Sequence, residues 1–518
     1  MKLLRSTAIV SSMTLFSRVF GFIRDVVIAR IFGATAATDA FIVALRIPNL
    51  LRRWFAEGSF SLAFVPVLNE YRERGREEEL RDLIDATTGA LLAVVSLIVG
   101  LGMLFAPGFV YLFAFGLTEQ PELFDLAQRM LRITFPYALF ISLTAMAGGI
   151  LNTFGRFAVP AFTPVLLNLA LIGAALWLAP AFEQPIVALA WGVFIAGVLQ
   201  LGLQLPALAR MGLLRRPVVR FDHPGVRKIG KLMVPTLIGS SVAQLNILVD
   251  TQIASFITAG AISWLYYSDR LLEFPLGVFG IAISTVILPS LSRRHAGVDP
   301  DGFSRTLDWG LRTGTLIALP AAVGLGVIAA PLVATLFHYG EFGRDDLFMT
   351  AASVAAYALG LPGYVMIKVL APAFYSRQDT RTPVKIAVVA LVSNVVLNLT
   401  FVAILLRNPI APPHAGLALA SSCSAYLNAG LLYRALRRDG AYEPVAGWGR
   451  HWAGIGAACG LMVAFLVWRM PPWAAWADMT LTTRIGNLAW LIGGAMAIYG
   501  LVTLATGVLR RELRDAPL

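Results

Sequence analysis

Residues 17–68 read SRVFGFIRDVVIARIFGATAATDAFIVALRIPNLLRRWFAEGSFSLAFVPVL. The stretch is apolar enough to form two membrane-crossing helices joined by a short loop after Gly33. Yet it carries Arg18, Arg24, Asp25, Arg30, Asp39, Arg46, Arg52, Arg53 and Glu57. A charge at membrane depth costs roughly 2.5–3.5 kcal/mol even on the permissive insertion scale. A chain that keeps so many must pair them or shelter them in a watery cavity. The expectation is a cavity that binds a large anionic molecule, in a chain built to move that molecule.

The surroundings agree with a membrane setting. Of 518 residues, 58% are hydrophobic and 14% charged, against about 25% charged in average soluble domains. Apolar windows fall near 7–32, 37–66, 84–115, 127–152, 158–180, 185–209, 229–259, 262–291, 307–338, 348–375, 382–406, 413–436, 449–470 and 485–509. Each suits the ~20 residues that a helix needs to cross the hydrocarbon. The fold class is therefore an all-α polytopic membrane protein with about 14 transmembrane helices. The N-terminal MKLLRSTAIVSSMTLF resembles a signal peptide, but no small-residue cleavage site follows and the apolar run continues to Phe32, which predicts a retained first helix.

The net charge of +12 would suggest nucleic acid in a soluble protein. Here it follows the loops. Alternate loops hold Lys2 and Arg5, then Arg72, Arg74, Arg76 and Arg81, and so on to Arg510, Arg511 and Arg514, whereas the opposite loops hold only Arg344, Arg407, Arg469 and Arg484. The positive-inside rule then puts both termini in the cytoplasm. Cys423 and Cys459 both sit in apolar runs, so neither a disulfide framework nor a cysteine metal site is expected.

A weak internal repeat divides the chain. Pro66 closes RIPNLLRRWFAEGSFSLAFVPVL and Pro289 closes DRLLEFPLGVFGIAISTVILPSL. GRFAVPAFTPVLLNLALI is similar to SRQDTRTPVKIAVVALVSNVVLNL, each with Thr-Pro opening a span and Asn within it. The offsets, Pro66 to Pro289 and Pro164 to Pro383, are 223 and 219 residues. Duplicated lobes around a midplane site are a transporter pattern. The reading gives an N-lobe over 1–220, a C-lobe over 221–440, and two appended helices with a cytoplasmic tail over 441–518.

The candidate lining residues are Arg18, Arg24, Arg52, Arg53, Arg270 and Lys368 against Asp25, Asp39, Glu57 and Glu273. Arg18 and Asp25 share a helix face, and so do Arg46 and Arg53. Gly21 lets a neighbour approach, and Pro48 should break or kink the second span. Positive charge is in excess, and the planar guanidinium fork matches phosphate oxygens two at a time. An amphiphilic phosphate or diphosphate is the natural ligand; the alternative is that these groups pair among themselves and pin helices together. Asp250 with Asn394 and Asn398 forms another polar set, suited to a hard cation such as Na⁺ or to interhelical hydrogen bonding. The five histidines are scattered, and there is no phosphate loop of the GxxxxGK[ST] kind, so energy would come from a gradient, the membrane potential or substrate supply.

Four segments, SRVFGFIRDVVIARIFGA, TDAFIVALRIPNLLRRWFAEGSFSLAFVPVL, SWLYYSDRLLEFPLGVFGIAISTVILPSLSR and FYSRQDTRTPVKIA, resemble the MurJ (MviN) family of lipid II flippases, within the multidrug/oligosaccharidyl-lipid/polysaccharide (MOP) exporter superfamily. The resemblance spans essentially the whole chain. It implies two pseudo-symmetric six-helix lobes around a central cavity, plus two C-terminal helices whose hydrophobic groove holds an undecaprenyl tail. By position it assigns Arg18, Arg24, Arg52 and Arg270 to essential cavity arginines, and Asp39, Glu57, Ser263, Glu273 and Lys368 to other sensitive positions. Asp250, Asn394 and Asn398 match a sodium site that is not uniform in the family. It implies lipid II and membrane lipids as partners, with the cell-wall synthesis machinery as a further candidate, in the bacterial inner membrane, and no enzyme activity or bound cofactor. The rivals are a same-fold exporter of drugs or O-antigen-type lipids, and a lipid-phosphate transferase. A cation exporter should favour acidic lining, and a transferase needs a metal-binding acidic cluster or an activated nucleophile.

Overall fold

The structure is a computed structural model that describes residues 2–54, 59–277, 281–297, 299–408 and 410–514; for 2–11, 59, 235–236, 238–243, 281–285, 474 and 477 it describes the backbone alone. Glu57 lies outside the described residues. Among those described, every regular element is a helix, and the chain forms two compact units, Met1–Ser263 and Trp264–Leu518. Ten helical stretches among the described residues are long and apolar enough to cross a membrane. They match ten of the fourteen windows. The other four windows, 7–32, 37–66, 229–259 and 262–291, each contain positions outside the full description.

The first unit contains α1 (Lys2–Phe32), α2 (Ala36–Arg52), α3 (Ser59–Glu73), α4 (Glu77–Leu104), α5 (Ala106–Phe113), α6 (Pro121–Thr134), α7 (Tyr137–Thr153), α8 (Ala158–Gly173), α9 (Val187–Ala209) and α10 (Pro224–Ser255). Thr35 caps α2 by accepting from the Thr38 N–H, which satisfies one of the donors a helix start leaves open. Glu77, Glu78 and Glu79 fill the first turn of α4, where negative charge meets the positive end of the helix dipole. Principal packing pairs are α1 with α8, α2 with α6, and α7 with α9.

Pro48 does not end its helix. α2 runs through it to Arg52; a proline forfeits one backbone bond but leaves the remaining ladder intact, and membrane helices tolerate this. Past Arg52 the helical course continues through 53–54, and α3 is described from Ser59 onward. The second Thr-Pro pair also differs from the first. Pro383 lies in the opening turn of its helix, Arg381–Arg407, whereas Pro164 lies inside α8.

The close approach of a loop to α4 fixes one glycine. The Val218 N–H donates to Asp85 O at 3.0 Å, and a Cβ on Gly89 would lie 2.2 Å from the Val218 carbonyl oxygen. Both obstacles are backbone and cannot rotate away. Gly89→Ala should cost about 1–3 kcal/mol by overpacking, read as a lowered melting temperature of the detergent-purified protein. An unchanged melt would show that the loop does not hold this position.

The second unit contains α11 (Ala261–Pro275, whose first residues belong to unit one), α12 (Ile281–Ala296), α13 (Pro300–Val327), α14 (Ala329–Phe337), α15 (Arg344–Tyr375), α16 (Arg381–Arg407), α17 (Ala415–Arg438), α18 (Trp448–Arg469), α19 (Trp473–Asp478), α20 (Leu481–Ala505) and α21 (Val508–Arg514). Packing runs through α13, α15 and α17, with α18 against both α13 and α20. Asp379 accepts from the Arg381 and Thr382 N–H groups at the start of α16, both at 3.0 Å. Its bonds with Thr382 and then Arg381 hold its carboxyl below the usual range.

α16 illustrates why these helices need lipid. Val388, Val389, Val392, Val396 and Leu399 face outward, exposed, while Asn394 and Asn398 are buried. Such a helix would be costly in water, where apolar exposure is penalised at about 25 cal/mol per Å². In hydrocarbon it has its apolar face outside and its amides bonded within.

Candidate functional site

In the first unit, Arg24 and Asp25 are both buried on α1. Arg24 turns onto its own neighbour: Nε and Nη2 donate to Asp25 Oδ1 at 2.9 and 2.6 Å. Its Nη1 donates to Asn168 Oδ1 on α8 at 3.0 Å, and Asn168 Nδ2 donates back to the Ser17 carbonyl at 3.0 Å. Gly21 faces Asn168, and a Cβ there would stand in ordinary contact with it, 3.5 Å from Nδ2. The amide thus clamps the α1 backbone and orients the guanidinium together. Arg18, one turn and more upstream, is exposed.

Arg46 on α2 and Arg53, the residue that caps its C-terminus, form a two-rung ladder with α10. Arg46 Nη1 donates to Thr251 Oγ1, and Arg53 Nη1 donates to Gln244 Oε1 at 2.8 Å. Seven residues separate the members on each helix, so one face of α2 meets one face of α10 running the other way. Arg52 points along its own helix, with Nε on Asn49 Oδ1 at 3.0 Å.

Asp39 is buried and spent on the protein. Its Oδ2 accepts from the Gly260 N–H at 2.7 Å, and its Oδ1 accepts from the Ser263 N–H and hydroxyl at 2.8 and 2.5 Å. These donors open α11, where backbone N–H groups and the helix dipole favour a carboxylate. The structure therefore brings Asp39 and Ser263 together as a clasp. Asp250 is also buried in this unit, with Asn246 Nδ2 3.4 Å from its Oδ2.

In the second unit, Arg270 lies half-buried on α11. Its Nη1 donates to Glu273 Oε2 at 2.8 Å, and its guanidinium carbon stands 5.1 Å from the centre of the Tyr266 ring. Glu273 and Lys368 are exposed. On α16, Asn398 Nδ2 donates to Asn394 Oδ1 at 2.9 Å, and Asn394 Nδ2 to Ser421 Oγ at 3.3 Å. This is the hydrogen-bonding arrangement that amides adopt between membrane helices.

One charged centre went unmarked in the sequence. Asp308 and Arg312 on α13 form a buried pair, Arg312 Nε to Asp308 Oδ2 at 2.6 Å. Asp308 Oδ1 also accepts from Tyr442 Oη at 2.7 Å, Trp448 Nε1 at 2.9 Å and the Val445 N–H at 3.2 Å. The signal available was an acid and a base four residues apart at the start of an apolar run.

A family model described as "Lipid II flippase MurJ" matches residues 28–485. The chain belongs to the MurJ family. A probable lipid II flippase MurJ of Vibrio cholerae is 47% identical over 522 aligned positions, covering 99% of this chain and 98% of the relative. The lipid II flippase MurJ of Burkholderia cenocepacia is 44% identical, covering 90% of each. Among solved structures, a lipid II flippase MurJ in an inward closed conformation superposes with TM-score 0.78 at 27% identity, covering 97% of this chain and 99% of that one. A multidrug resistance MATE transporter of the MOP superfamily, 13% identical with TM-score 0.64, shares the fold. This MurJ-family chain is a multi-pass membrane protein with the fold of the solved MurJ flippase.

Proposed function

We propose that the protein flips lipid-linked peptidoglycan precursor, lipid II, from the cytoplasmic to the periplasmic leaflet of the bacterial inner membrane, with both termini cytoplasmic. The family match over residues 28–485 carries this reading, and curated relatives bearing the flippase name cover nearly all of the chain. The reaction is transport, so no bond in the cargo is made or broken. The exporter of drugs and the lipid-phosphate transferase are not favoured: full-length relatives at 47% and 44% identity carry the flippase name.

On this reading the arginines of α1, α2 and α11 meet the diphosphate and sugar-peptide head during alternating access. Arg24, Arg52, Arg53 and Arg270 already engage short polar partners, so a phosphate can exchange for an amide or carboxylate without a guanidinium being left bare. Arg18 and Lys368, both exposed, add positive charge to the proposed lining. Asp25, Glu57 and Glu273 are the acidic counterweights, and Asp39 with Ser263 sets the start of α11. Asp250, Asn394 and Asn398 supply the oxygen ligands for a coupling Na⁺, with the membrane potential as the other driving force. Lipid II and bilayer lipids are the partners, alongside the cell-wall synthesis machinery.

Depletion of the protein followed by assay of which leaflet holds the precursor tests the function. Lipid II should accumulate on the cytoplasmic side. Arg270→Ala should reproduce that block while the protein remains at its normal level in the membrane, because the partner it loses, Glu273, is exposed and easily rehydrated. Normal precursor distribution in both experiments would overturn the reading.

A further inference from the structure

A cavity of about 410 Å³ opens within the second unit where α13, α18 and α21 come together. It is lined by Arg312, Arg450, Arg510, Arg511 and Arg514, with Glu512 as its acidic residue. We propose that this cavity binds a phosphate group, supplied by the headgroup of an anionic phospholipid in the adjoining leaflet. The proposal is independent of the arginines assigned to flipping.

Arg312 is the most buried of the arginines that line the cavity. It is 3% exposed, with Nε on Asp308 and Nη2 on the Val445 carbonyl at 2.7 Å, while Nη1 is buried and has no hydrogen-bond partner among the described residues. A buried charged donor left unsatisfied is costly. Arg312 is among the residues that line the cavity. Asp308 and the Trp448 ring, whose centre is 4.9 Å from Arg312 Cζ, fix the guanidinium in place.

The rim is equally built. Arg511 Nη2 donates to the Ala446 carbonyl and Arg450 Nη2 to the Thr506 carbonyl, both at 2.9 Å. Arg511 lies directly over Gly447: a Cβ there would stand 2.1 Å from its Nη1, and the backbone has φ +104°. Only glycine meets both conditions comfortably. Backbone anchoring of several guanidinium forks around one cavity pre-pays the ordering that phosphate recognition needs.

The setting favours a lipid as the source. α18 and α20 carry outward-facing Leu461, Leu501 and Leu504, and Trp452 is exposed within the first turns of α18. Indole rings mark the level of headgroups, and basic pockets between membrane helices on the positively flanked side hold anionic headgroups. Acyl chains would run along the apolar faces while the phosphate sits among the arginines.

The test uses the full chain in nanodiscs, with thermal melting and native mass spectrometry as readouts and precursor flipping measured separately. Phosphatidylglycerol added to phosphatidylcholine discs should raise the wild-type melting temperature and leave bound phosphatidylglycerol on the ejected protein. Arg450→Gln/Arg511→Gln should lower the retained lipid about tenfold, near 1.4 kcal/mol. Arg510→Gln, at an exposed position, gives a second variant should the double variant fold poorly. If inorganic phosphate in pure phosphatidylcholine discs produces the same variant-sensitive shift, phosphate is still the ligand but free anion is its source. If neither probe stabilises wild type more than the variants, the cavity is not a phosphate site and the proposal falls.

Discussion

Arg24→Ala should abolish precursor flipping and destabilise the protein by about 3–5 kcal/mol, the usual consequence of removing one partner from a buried ion pair. Asp25 loses both of its contacts with the guanidinium, and Asn168 loses the donor it orients. These two consequences are separable. Arg24→Gln/Asp25→Asn removes both charges and should melt within about 1 kcal/mol of wild type, since a neutral pair carries no stranded ion. Flipping should stay lost, because a neutral amide cannot bind the diphosphate with the fork of an arginine. A double variant that melts normally and also supports growth would assign Arg24 to helix packing alone.

Asp39→Ala is expected to act through the fold. Three donors at the start of α11 lose their acceptor, and hydrogen bonds to a charged group are worth about 1.5–3 kcal/mol each, without simple additivity. A loss of about 3 kcal/mol or more should appear in thermal melts. Ser263→Ala removes one of the three and should cost about 1–2 kcal/mol. The two together should fall short of their sum, since residues in one network couple by 0.5–3 kcal/mol. Lower growth temperature should restore flipping by Asp39→Ala, in contrast to Arg24→Ala. Additive losses, or a melt unchanged by Asp39→Ala, would show that the clasp does not form.

Charge inside apolar runs made α1, α2 and α11 readable from sequence, because the cost of such residues in lipid leaves few explanations. Their neutral partners were not readable. Asn168, Gln244 and Thr251 look like any polar residue in a membrane helix, and only the register of α8 and α10 against α1 and α2 gives them meaning. Of the break or kink expected at Pro48, the break does not occur: a missing N–H weakens a helix, but neighbours decide whether it ends there. Asp308 and Arg312 were passed over because charges at the edge of an apolar window resemble ordinary interface residues. Their burial depends on Tyr442 and Trp448, more than a hundred positions later.

That distance has a consequence for ancestry. Of the four hydrogen bonds Asp308 accepts, only Arg312's comes from α13; the others come from residues 442–448. Trp309 and Leu316 are likewise tied to Glu512 and Tyr499. A truncated relative that dropped everything after 440 would leave Asp308 with Arg312 but without the other three donors, which ties the fate of position 308 to that of the tail.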